Sequence, residues 1–325
     1  MSVIDTLRKL GGCAGGTAIY NAAKAAAATA NLGREKKKLK PETQARMKKL
    51  FPNLNLDKVH FVINATLPAN WFESPNNTDA MTFGYTIYFK GKDIQWTYNG
   101  LLLLMHELVH VDQVRRRSDS ESKFACDYGE GFLQAGNYRS NRLEVEAYNF
   151  VNLLPFNAVF YLNQYPDLQA ACGNDTYKAI THWLDFGIDE GRRSSRAFDV
   201  GYYLSQYPDL QKAFGAKNYT AALHHWLEFG IKEGRMSSPA FDVKFYLDQY
   251  YDLKAAFGAT NYLAAIKHWL ENGLNEGRRS SRAFDVSFYL SQYPDLQAAF
   301  GAKNYTAAFD HWLLYGMKEG RRGAP

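Results

Sequence analysis

A short apolar run, Leu101 to Met105, leads directly into the motif His106-Glu107-Leu108-Val109-His110. On a helix, residues at i and i+4 lie on one face, so both imidazoles of an H-E-x-x-H motif can reach a single Zn²⁺. The glutamate between them is then placed to take a proton from an activated water and pass it to a leaving amine. The motif predicts a zinc-dependent hydrolase, although H-E-x-x-H also occurs in unrelated helices.

A zinc site of this kind needs a third protein ligand. The sequence lacks the metzincin histidine six residues beyond His110, because Arg116 stands at that position. Further along the chain a second helix is predicted, on which Glu144, Ala147 and Tyr148 share one face. The small Ala147 permits close approach of the two helices, so we expect Glu144 to be the third ligand.

Other acidic residues nearby are weaker candidates. Glu146 points about 200° away from Glu144 by the helical period, and Asp127 and Glu130 remain less favoured alternatives. Zinc hydrolases often use an additional hydrogen-bond donor for the developing oxyanion. The candidates for this role are Tyr128, Tyr138, Arg139 and Tyr148.

Around the motif the pattern alternates between strands and helices. Strands are predicted over residues 59–63 and 82–89, where β-branched and aromatic residues cluster. Helices are predicted over 101–115 and 141–153, and the basic segment 34–49 is predicted as a solvated helix. The N-terminal half is therefore expected to be an α+β domain.

The C-terminal half is repetitive. His-Trp pairs recur every 43 residues, at Trp183, Trp226, Trp269 and Trp312, which defines four copies of one unit. Within the second copy, Asp199 is a candidate N-cap, Pro208 can open a second helix and Gly215 can close it. A third helix is predicted up to Gly230, with an apolar face made of Ala222, Leu223, Trp226 and Phe229. Each copy should be all-α, and neighbouring copies should stack because 43 residues alone bury little core.

Two further residues recur in every copy. The histidines of the His-Trp pairs lack a second ligand at i+3 or i+4, so a structural hydrogen bond is favoured over metal binding. The arginines of the E-G-R corners are expected to pair with an acidic residue of the next copy, namely Asp199, Asp242 or Asp285. The alternative is a periodic glycan-binding face, since aromatic and guanidinium groups suit sugars. The arginines are Arg192, Arg235, Arg278 and Arg321.

Two stretches carry a resemblance to a known family. Residues 80–89 fit A-x-T-x-G-x-x-I-x-F and residues 103–113 fit L-L-x-H-E-L-x-H-x-x-Q. This combination resembles the metallopeptidase domain associated with extracellular contractile injection systems, over roughly residues 59–150. The resemblance implies a zincin-like fold, with His106 and His110 as ligands and Glu107 as base.

The third-ligand element of that family reads E-x-x-A-D, and the resemblance places its glutamate at Glu144. The family's aspartate is replaced by Tyr148, so a carboxylate that could orient a ligand histidine is missing. Either the enzyme is weakened, or Asp112 or Asp127 takes over this role. Loss of such a supporting group typically costs about 10–100-fold in metal affinity or activity.

Composition excludes several other classes. The 325 residues are 46% hydrophobic and 15% aromatic, which indicates a folded chain, and a net charge of +5 is too weak to predict nucleic-acid binding. Three widely spaced cysteines are expected to be free thiols. No apolar run of transmembrane length and no Sec signal peptide is recognisable, so we expect a cytoplasmic protein or one exported by a non-classical route or an injection system.

The sequence thus predicts an α+β zincin-like N-terminal domain followed by an all-α repeat array. We expect a zinc metallopeptidase that acts on a protein or peptide, with repeats that bind a glycan or cell surface. The alternative is a lectin-like or cell-wall-binding protein whose zincin domain is degenerate or structural. The predicted parts are a helical segment 1–50, a zincin-like domain 51–155, and repeats 156–197, 198–240, 241–283 and 284–325.

Overall fold

The chain forms two units in the computed structural model, one of residues 1–154 and one of residues 155–325. The first unit combines helices with a small mixed sheet, and the second is mostly helical. This confirms the α+β class and the mostly helical C-terminal part, while the zincin-like fold stays a prediction. None of the described helices is long and apolar enough to cross a membrane. The residues that the structure describes are 3–68, 78–92, 97–152 and 156–325.

The first unit has six α-helices, a short 3₁₀-helix Leu56–Lys58 and four strands among its described residues. The helices are α1 Val3–Leu10, α2 Gly12–Ala30, α3 Pro41–Lys48, α4 Tyr98–Arg115, α5 Glu121–Ala135 and α6 Arg142–Asn152. The strands are β1 Lys37–Lys38, β2 His60–Val62, β3 Ala80–Phe83 and β4 Thr86–Phe89. The sheet order is β1-β2-β4-β3, in which only the β2–β4 pair is parallel. Strand β3 therefore lies at one edge of the sheet.

Helix α4 is almost entirely buried, and it packs against β3, α5 and α6. Thr97 caps its N-terminus, since the Thr97 Oγ1 accepts a 2.9 Å hydrogen bond from the Gly100 N–H. A helix that is apolar on most sides belongs in a core, and here it fixes the H-E-x-x-H motif rigidly. The α4 side chains with no exposed surface include Leu101, Leu104, Met105, Leu108 and Val111.

The single strand predicted over residues 82–89 is wrong, because the chain turns in the middle of it. Strands β3 and β4 form a tight antiparallel hairpin with Gly84 in the turn. Gly84 has φ +59°, a conformation that glycine adopts without strain. Its N–H donates a 2.7 Å hydrogen bond to the Tyr20 hydroxyl, which ties the turn to α2.

Other predicted elements are refined by the structure. The basic segment 34–49 is a solvated helix only in part, because it contains strand β1 as well as α3, where Thr43 and Met47 are buried. Helix α5 was not predicted at all. The predicted helix over residues 141–153 is α6, and Leu153 lies outside the described residues.

The prediction of free thiols is wrong for two of the three cysteines and right for Cys172. Cys13 on α2 and Cys126 on α5 form a disulfide, although 113 positions separate them in the sequence. The pairing depends on the crossing of α2 and α5, which no local sequence pattern predicts. Cys172 in the second unit is a free thiol.

Each copy in the second unit contains three short helices followed by a π-helical turn. The first helices are Ala158–Gln164, Val200–Gln206, Val243–Gln249 and Val286–Gln292. The second helices are Pro166–Cys172, Pro208–Phe214, Tyr251–Phe257 and Pro294–Phe300. The third helices are Thr176–His182, Tyr219–His225, Tyr262–His268 and Tyr305–His311. The π-helical turns are Trp183–Gly187, Trp226–Gly230, Trp269–Gly273 and Trp312–Gly316, and an extra short helix, Ile231–Glu233, follows the second turn.

The signals that predicted these helices are confirmed. The Asp199 carboxylate caps the first helix of the second copy by accepting a 2.9 Å hydrogen bond from the Tyr202 N–H. Pro208 opens the second helix, and Gly215 follows its last residue. The predicted apolar face is right except at Phe229, whose side chain is 48% exposed.

A buried aromatic pair lies at the centre of every copy. The tryptophan of each His-Trp pair packs against the phenylalanine that opens its copy, with ring centroids 4.2–5.0 Å apart. Both rings are almost fully buried, so each copy has its own small aromatic core. The pairs are Phe156–Trp183, Phe198–Trp226, Phe241–Trp269 and Phe284–Trp312.

Next to this core, a tyrosine, a histidine and a glycine depend on one another. In the second copy the Tyr203 hydroxyl lies 2.8 Å from His225 Nδ1, and burial lowers the pKa of His225, which favours a neutral acceptor. A Cβ on Gly230 would overlap the Tyr203 hydroxyl oxygen, so only glycine fits at the end of the π-helical turn. The recurring histidines thus have the structural hydrogen bond that the sequence favoured, through Tyr161–His182, Tyr203–His225, Tyr246–His268 and Tyr289–His311.

The pairing predicted for the arginines is wrong. Each arginine pairs inside its own copy, as Arg235 does with Asp209 at 2.9 Å and with Glu233 at 2.5 Å, and it also stacks on Tyr207. The aspartate predicted as a partner, Asp242, instead caps the next first helix. The same arrangement holds for Arg192 with Asp167, Arg278 with Asp252 and Arg321 with Asp295.

Contacts between copies hold the array together. The Thr220 hydroxyl donates to the Asp189 carboxylate at 3.0 Å, and the Ser237 hydroxyl donates to the Ala197 carbonyl at 2.7 Å. The first and last copies also meet, because Arg196 makes a two-pronged ion pair with Asp310 at 2.6–2.7 Å. Neighbouring copies therefore pack on one another, and the array curves back toward its start.

We expect Gly230→Ala to destabilise the array by about 1–3 kcal/mol, because the new methyl group must displace the Tyr203 hydroxyl from His225. The matched control is Gly201→Ala in the first helix of the same copy, where a Cβ makes only ordinary contacts. That change should be neutral or stabilising by about 0.5–1 kcal/mol. Urea unfolding of the full chain, followed by hydrogen exchange of residues 198–240, measures both. Equal effects of the two substitutions would show that the Tyr203 contact does not limit this position.

Candidate metal centre

Helices α4 and α6 bring three predicted ligands together. His106 and His110 lie one helical turn apart on α4, and their Nε2 atoms are 3.3 Å apart. The carboxylate oxygens of Glu144 lie 3.5 Å from His106 Nε2 and 3.4 Å from His110 Nε2. All three side chains are buried. The buried Ala147 on α6 follows Glu144 by one turn, as the close approach of α4 and α6 requires.

These separations fit a zinc ion. Zn–N and Zn–O distances of about 2.0–2.2 Å in a tetrahedral site place two ligand atoms about 3.3–3.6 Å apart. The two Nε2 atoms are 3.3 Å apart, Glu144 Oε2 lies 3.5 Å from His106 Nε2, and Glu144 Oε1 lies 3.4 Å from His110 Nε2, all within this range. Glu144 Oε2 is buried and has no hydrogen-bond partner among the described residues. A buried, unpartnered carboxylate oxygen is costly unless a cation or donor meets it. The donor set and the unpartnered oxygen both suit Zn²⁺.

The charges at the centre are coupled. Burial lowers the pKa of His110, but the Glu144 carboxylate beside it outweighs burial and raises that pKa to about 9. Burial raises the pKa of Glu144, but His110 and His106 outweigh it and hold this pKa well below its usual range. Without a metal, the negative charge of the buried Glu144 carboxylate is thus balanced by the positive charge of the His110 imidazolium.

Two of the three predicted ligands, His110 and Glu144, are oriented by a further side chain. Gln113 Oε1 lies 3.0 Å from His110 Nδ1, which leaves His110 Nε2 directed at the centre. The amide nitrogen of the same Gln113 donates to the Leu143 carbonyl and to Glu146, both at 2.9 Å, and so joins α4 to α6. Gln113 was not predicted in this role, although it lies three residues beyond His110 on the same helix and is the glutamine of the L-L-x-H-E-L-x-H-x-x-Q pattern.

On the other side, the Tyr128 hydroxyl of α5 donates a 2.7 Å hydrogen bond to Glu144 Oε1. Burial raises the pKa of Tyr128 well above its ordinary value, so the group stays a donor. Asn141 supports this contact by donating to the Tyr128 carbonyl at 3.0 Å. The structure therefore places Tyr128 as a support for Glu144 and not as an exposed group facing a substrate.

Neither aspartate takes over the role of the family's missing carboxylate. Asp112 pairs with Arg115 at 2.7 Å, and Asp127 pairs with Arg117 at 2.6 Å. The expectation that one of them orients a ligand histidine is wrong, because both face the helix surfaces and Gln113 contacts His110 instead. Asp127, one of the weaker ligand candidates, therefore lies in its ion pair with Arg117 and not at the centre.

Glu146 and Glu130, the remaining weaker ligand candidates, also lie away from the centre. Glu146 pairs with Arg116 at 2.6 Å, as its direction on the helix predicted. Glu130 lies beside Cys13 and Cys126. Glu144 is therefore the acidic candidate that the structure brings to the two histidines.

Glu107 lies between the centre and a cleft. Its Oε2 accepts a 2.6 Å hydrogen bond from the Thr82 hydroxyl of β3, which fixes the carboxylate. The side chain lines both a small cavity beside His110 and a cleft of 360 Å³. Thr82 was not predicted, although it is the threonine of the A-x-T-x-G pattern.

Two of the tyrosines proposed as oxyanion donors also line this cleft. Tyr148 is 40% exposed, and its ring centroid lies 4.6 Å from that of His106. Tyr138 lines the cleft together with Arg139. Burial raises the pKa of Tyr138 and of Tyr148, so both hydroxyls carry a proton at neutral pH.

Comparison with known families agrees with part of this picture. The family model of the eCIS core domain matches residues 38–118. The match includes His106, Glu107 and His110, covers less than half of the chain, and ends before Glu144. No curated protein and no solved structure gives a significant match. The match links the chain to extracellular contractile injection systems, as the sequence predicted, while peptidase activity stays a prediction.

We expect Tyr128→Phe to weaken zinc binding by about 10–100-fold, because Glu144 loses the donor that orients it. Tyr88→Phe is the matched control, since Tyr88 is a buried tyrosine of the same unit outside the centre. Competition with a chromophoric chelator measures both affinities. Unchanged zinc affinity in Tyr128→Phe would contradict the role given to Tyr128.

Proposed function

We propose that the N-terminal unit is a zinc-dependent metallopeptidase. The observation that carries this proposal is the triangle of His106, His110 and Glu144 ligand atoms beside the fixed carboxylate of Glu107. Three buried ligands with an adjacent general base are the parts that hydrolytic zinc sites require. When bound, Zn²⁺ would supply Lewis-acid activation of a water molecule and of the scissile carbonyl.

In this proposal Glu107 transfers a proton from the attacking water to the leaving amine. Thr82 holds one carboxylate oxygen, so the carboxylate keeps a fixed orientation at the wall of the cleft. From there it would accept a proton from the attacking water and deliver it to the amine of the leaving peptide. The short side chain of Thr82 comes from a strand, which is more rigid than a loop.

The cleft supplies groups that could position a peptide. Strand β3 is an edge strand beside α4, and an extended peptide can add to such an edge through main-chain hydrogen bonds. Tyr138 and Tyr148 would donate to the oxyanion that develops on the carbonyl oxygen. Their position beside His106 and Glu107 supports this role.

The match to the eCIS core domain supports a place in a contractile injection system, and such a place implies protein partners. In this setting the substrate would be a protein or peptide.

The repeats would act as a binding module. Exposed aromatic side chains recur at one position in three of the four copies and are available for this, whereas the arginines are paired inside their copies. These aromatics are Phe186, Phe229 and Tyr315. Aromatic faces suit sugar rings, which supports a glycan ligand, and a binding protein without hydrolytic activity is the alternative function.

We expect Glu107→Gln to reduce hydrolysis by at least about 10²–10⁴-fold with zinc content unchanged, because the proton acceptor is removed and the ligands are kept. Glu42→Gln, the same chemical change at an exposed residue of α3, should have no effect. Mass spectrometry of a mixed peptide library incubated with the full chain measures cleavage, and elemental analysis measures zinc.

Two results would contradict the proposal. One is a wild-type chain that binds no zinc. The other is a zinc-loaded wild-type chain that cleaves no peptide in the library, which would favour the binding role of the repeats.

A further inference from the structure

Helices α2 and α5 cross with their backbones in direct contact. Glycines form the crossing: a Cβ on Gly16 would overlap the Ala125 carbonyl oxygen, and a Cβ on Gly129 would overlap the Gly12 carbonyl oxygen. At these glycine positions the crossing leaves no room for a side chain between the helices. Glycine at these positions therefore permits the small separation of the two backbones.

Two cysteines lie at this crossing, together with a carboxylate. Cys13 on α2 and Cys126 on α5 form the disulfide, and Glu130 follows Cys126 by one helical turn. The stem of Glu130 lies over Gly12, since a Cβ at Gly12 would be 3.0 Å from Glu130 Cγ. The two sulfurs and a carboxylate oxygen all lie within 4.8 Å of one another.

This group differs in character from the histidine centre. Cys13 is exposed, and Cys126 and Glu130 are half-buried, so solvent reaches all three. Solvent access allows a reductant to reach the disulfide and a metal ion to enter. The zinc chemistry proposed above uses none of these three residues.

We propose that Cys13, Cys126 and Glu130 form a second metal site when the disulfide is reduced. The ligand would be a divalent d-block cation that accepts thiolates, such as Zn²⁺, held by two thiolates, one carboxylate and solvent. The two thiolates alone balance the charge of such a cation, and the carboxylate adds one further negative charge. The site would be distinct from the His106–His110–Glu144 centre.

The redox step is a thiol–disulfide exchange with a dithiol reductant. The dithiol gives two electrons and two protons to the Cys13–Cys126 bond and becomes a cyclic disulfide, and the protein gains two thiols. Binding of the divalent cation then releases the two thiol protons to water. Oxidation of the pair reverses these steps and expels the cation.

Two features keep the reduced site assembled. The glycine contacts hold the helices together in either redox state, so the two sulfurs stay close after the bond breaks. Cys13 lies in the first turn of α2, where the unpaired N–H groups of the helix favour a thiolate. An ion pair and hydrogen bonds from Lys24 and Tyr20 to Glu121 anchor the same two helices at a second point.

A consequence is that α2 and α5 stay joined in both redox environments. In oxidising surroundings the link is the disulfide, and in reducing surroundings it is the metal bridge. Both links fasten α2 to the helix that carries Tyr128, the support for Glu144.

Cobalt binding tests the proposal, because Co²⁺ bound to thiolates gives a charge-transfer band in the near ultraviolet and Co²⁺ bound to imidazole and carboxylate does not. The full chain is reduced with a dithiol, desalted without oxygen and titrated with Co²⁺. We expect this band in the reduced chain and none in the oxidised chain. Since the histidine centre contributes no such band, the result is independent of the proposed peptidase activity.

Variants assign the ligands. Cys13→Ser and Cys126→Ser should each abolish or strongly reduce the band, whereas Cys172→Ser in the second unit should keep it. Glu130→Gln keeps both cysteines and the disulfide, and it should weaken cobalt binding by at least about 10–100-fold, the cost of losing even a supporting partner. No band in the reduced wild-type chain, a band that depends on Cys172, or unchanged affinity in Glu130→Gln would overturn the proposal.

Discussion

The first unit depends on one demanding arrangement, the burial of the Glu144 carboxylate against two imidazoles. A carboxylate taken out of water is costly unless opposite charge and donors meet it. Here His110, His106 and the Tyr128 hydroxyl provide them within 2.7–3.5 Å. Three helices must hold their positions for these contacts to exist at once, so the centre constrains the packing of α4, α5 and α6.

The contacts of the surrounding side chains help to meet this constraint. Gln113 bridges α4 and α6 while it contacts His110, and Thr82 joins the sheet to the motif through Glu107. The buried apolar surface of α4 keeps the motif rigid. The second unit is stabilised differently. Each of its copies has its own buried aromatic pair and its own contact between a tyrosine, a histidine and a glycine.

Local periodicity was enough to predict part of the fold and most of the centre. The spacing of H-E-x-x-H placed His106 and His110 on one face, and the helical period separated Glu144 from Glu146 on α6. The cap residues of the repeats, and the proline that three of the four copies carry, predicted their helices for the same reason. All of these features depend on neighbours within a few positions, and the structure brings the three predicted ligands together as expected.

The features that the sequence did not predict depend on contacts between distant segments. The disulfide needs the crossing of α2 and α5, the role of Gln113 needs the approach of α6, and the turn at Gly84 is stabilised by Tyr20 from another helix. The arginines of the repeats were assigned the wrong partners because candidates in the same copy and in the next copy are equally available in the sequence. In the structure each arginine pairs with an acidic residue of its own copy, and Arg235 also stacks on Tyr207 of that copy.

We propose that two histidines and one glutamate hold a single metal ion. Anomalous diffraction at the zinc absorption edge, from crystals of the full chain grown with zinc, tests it most directly. We expect one strong peak within coordination distance of His106 Nε2, His110 Nε2 and the Glu144 carboxylate. Density that shows these three side chains in contact with one another and no peak between them would contradict it.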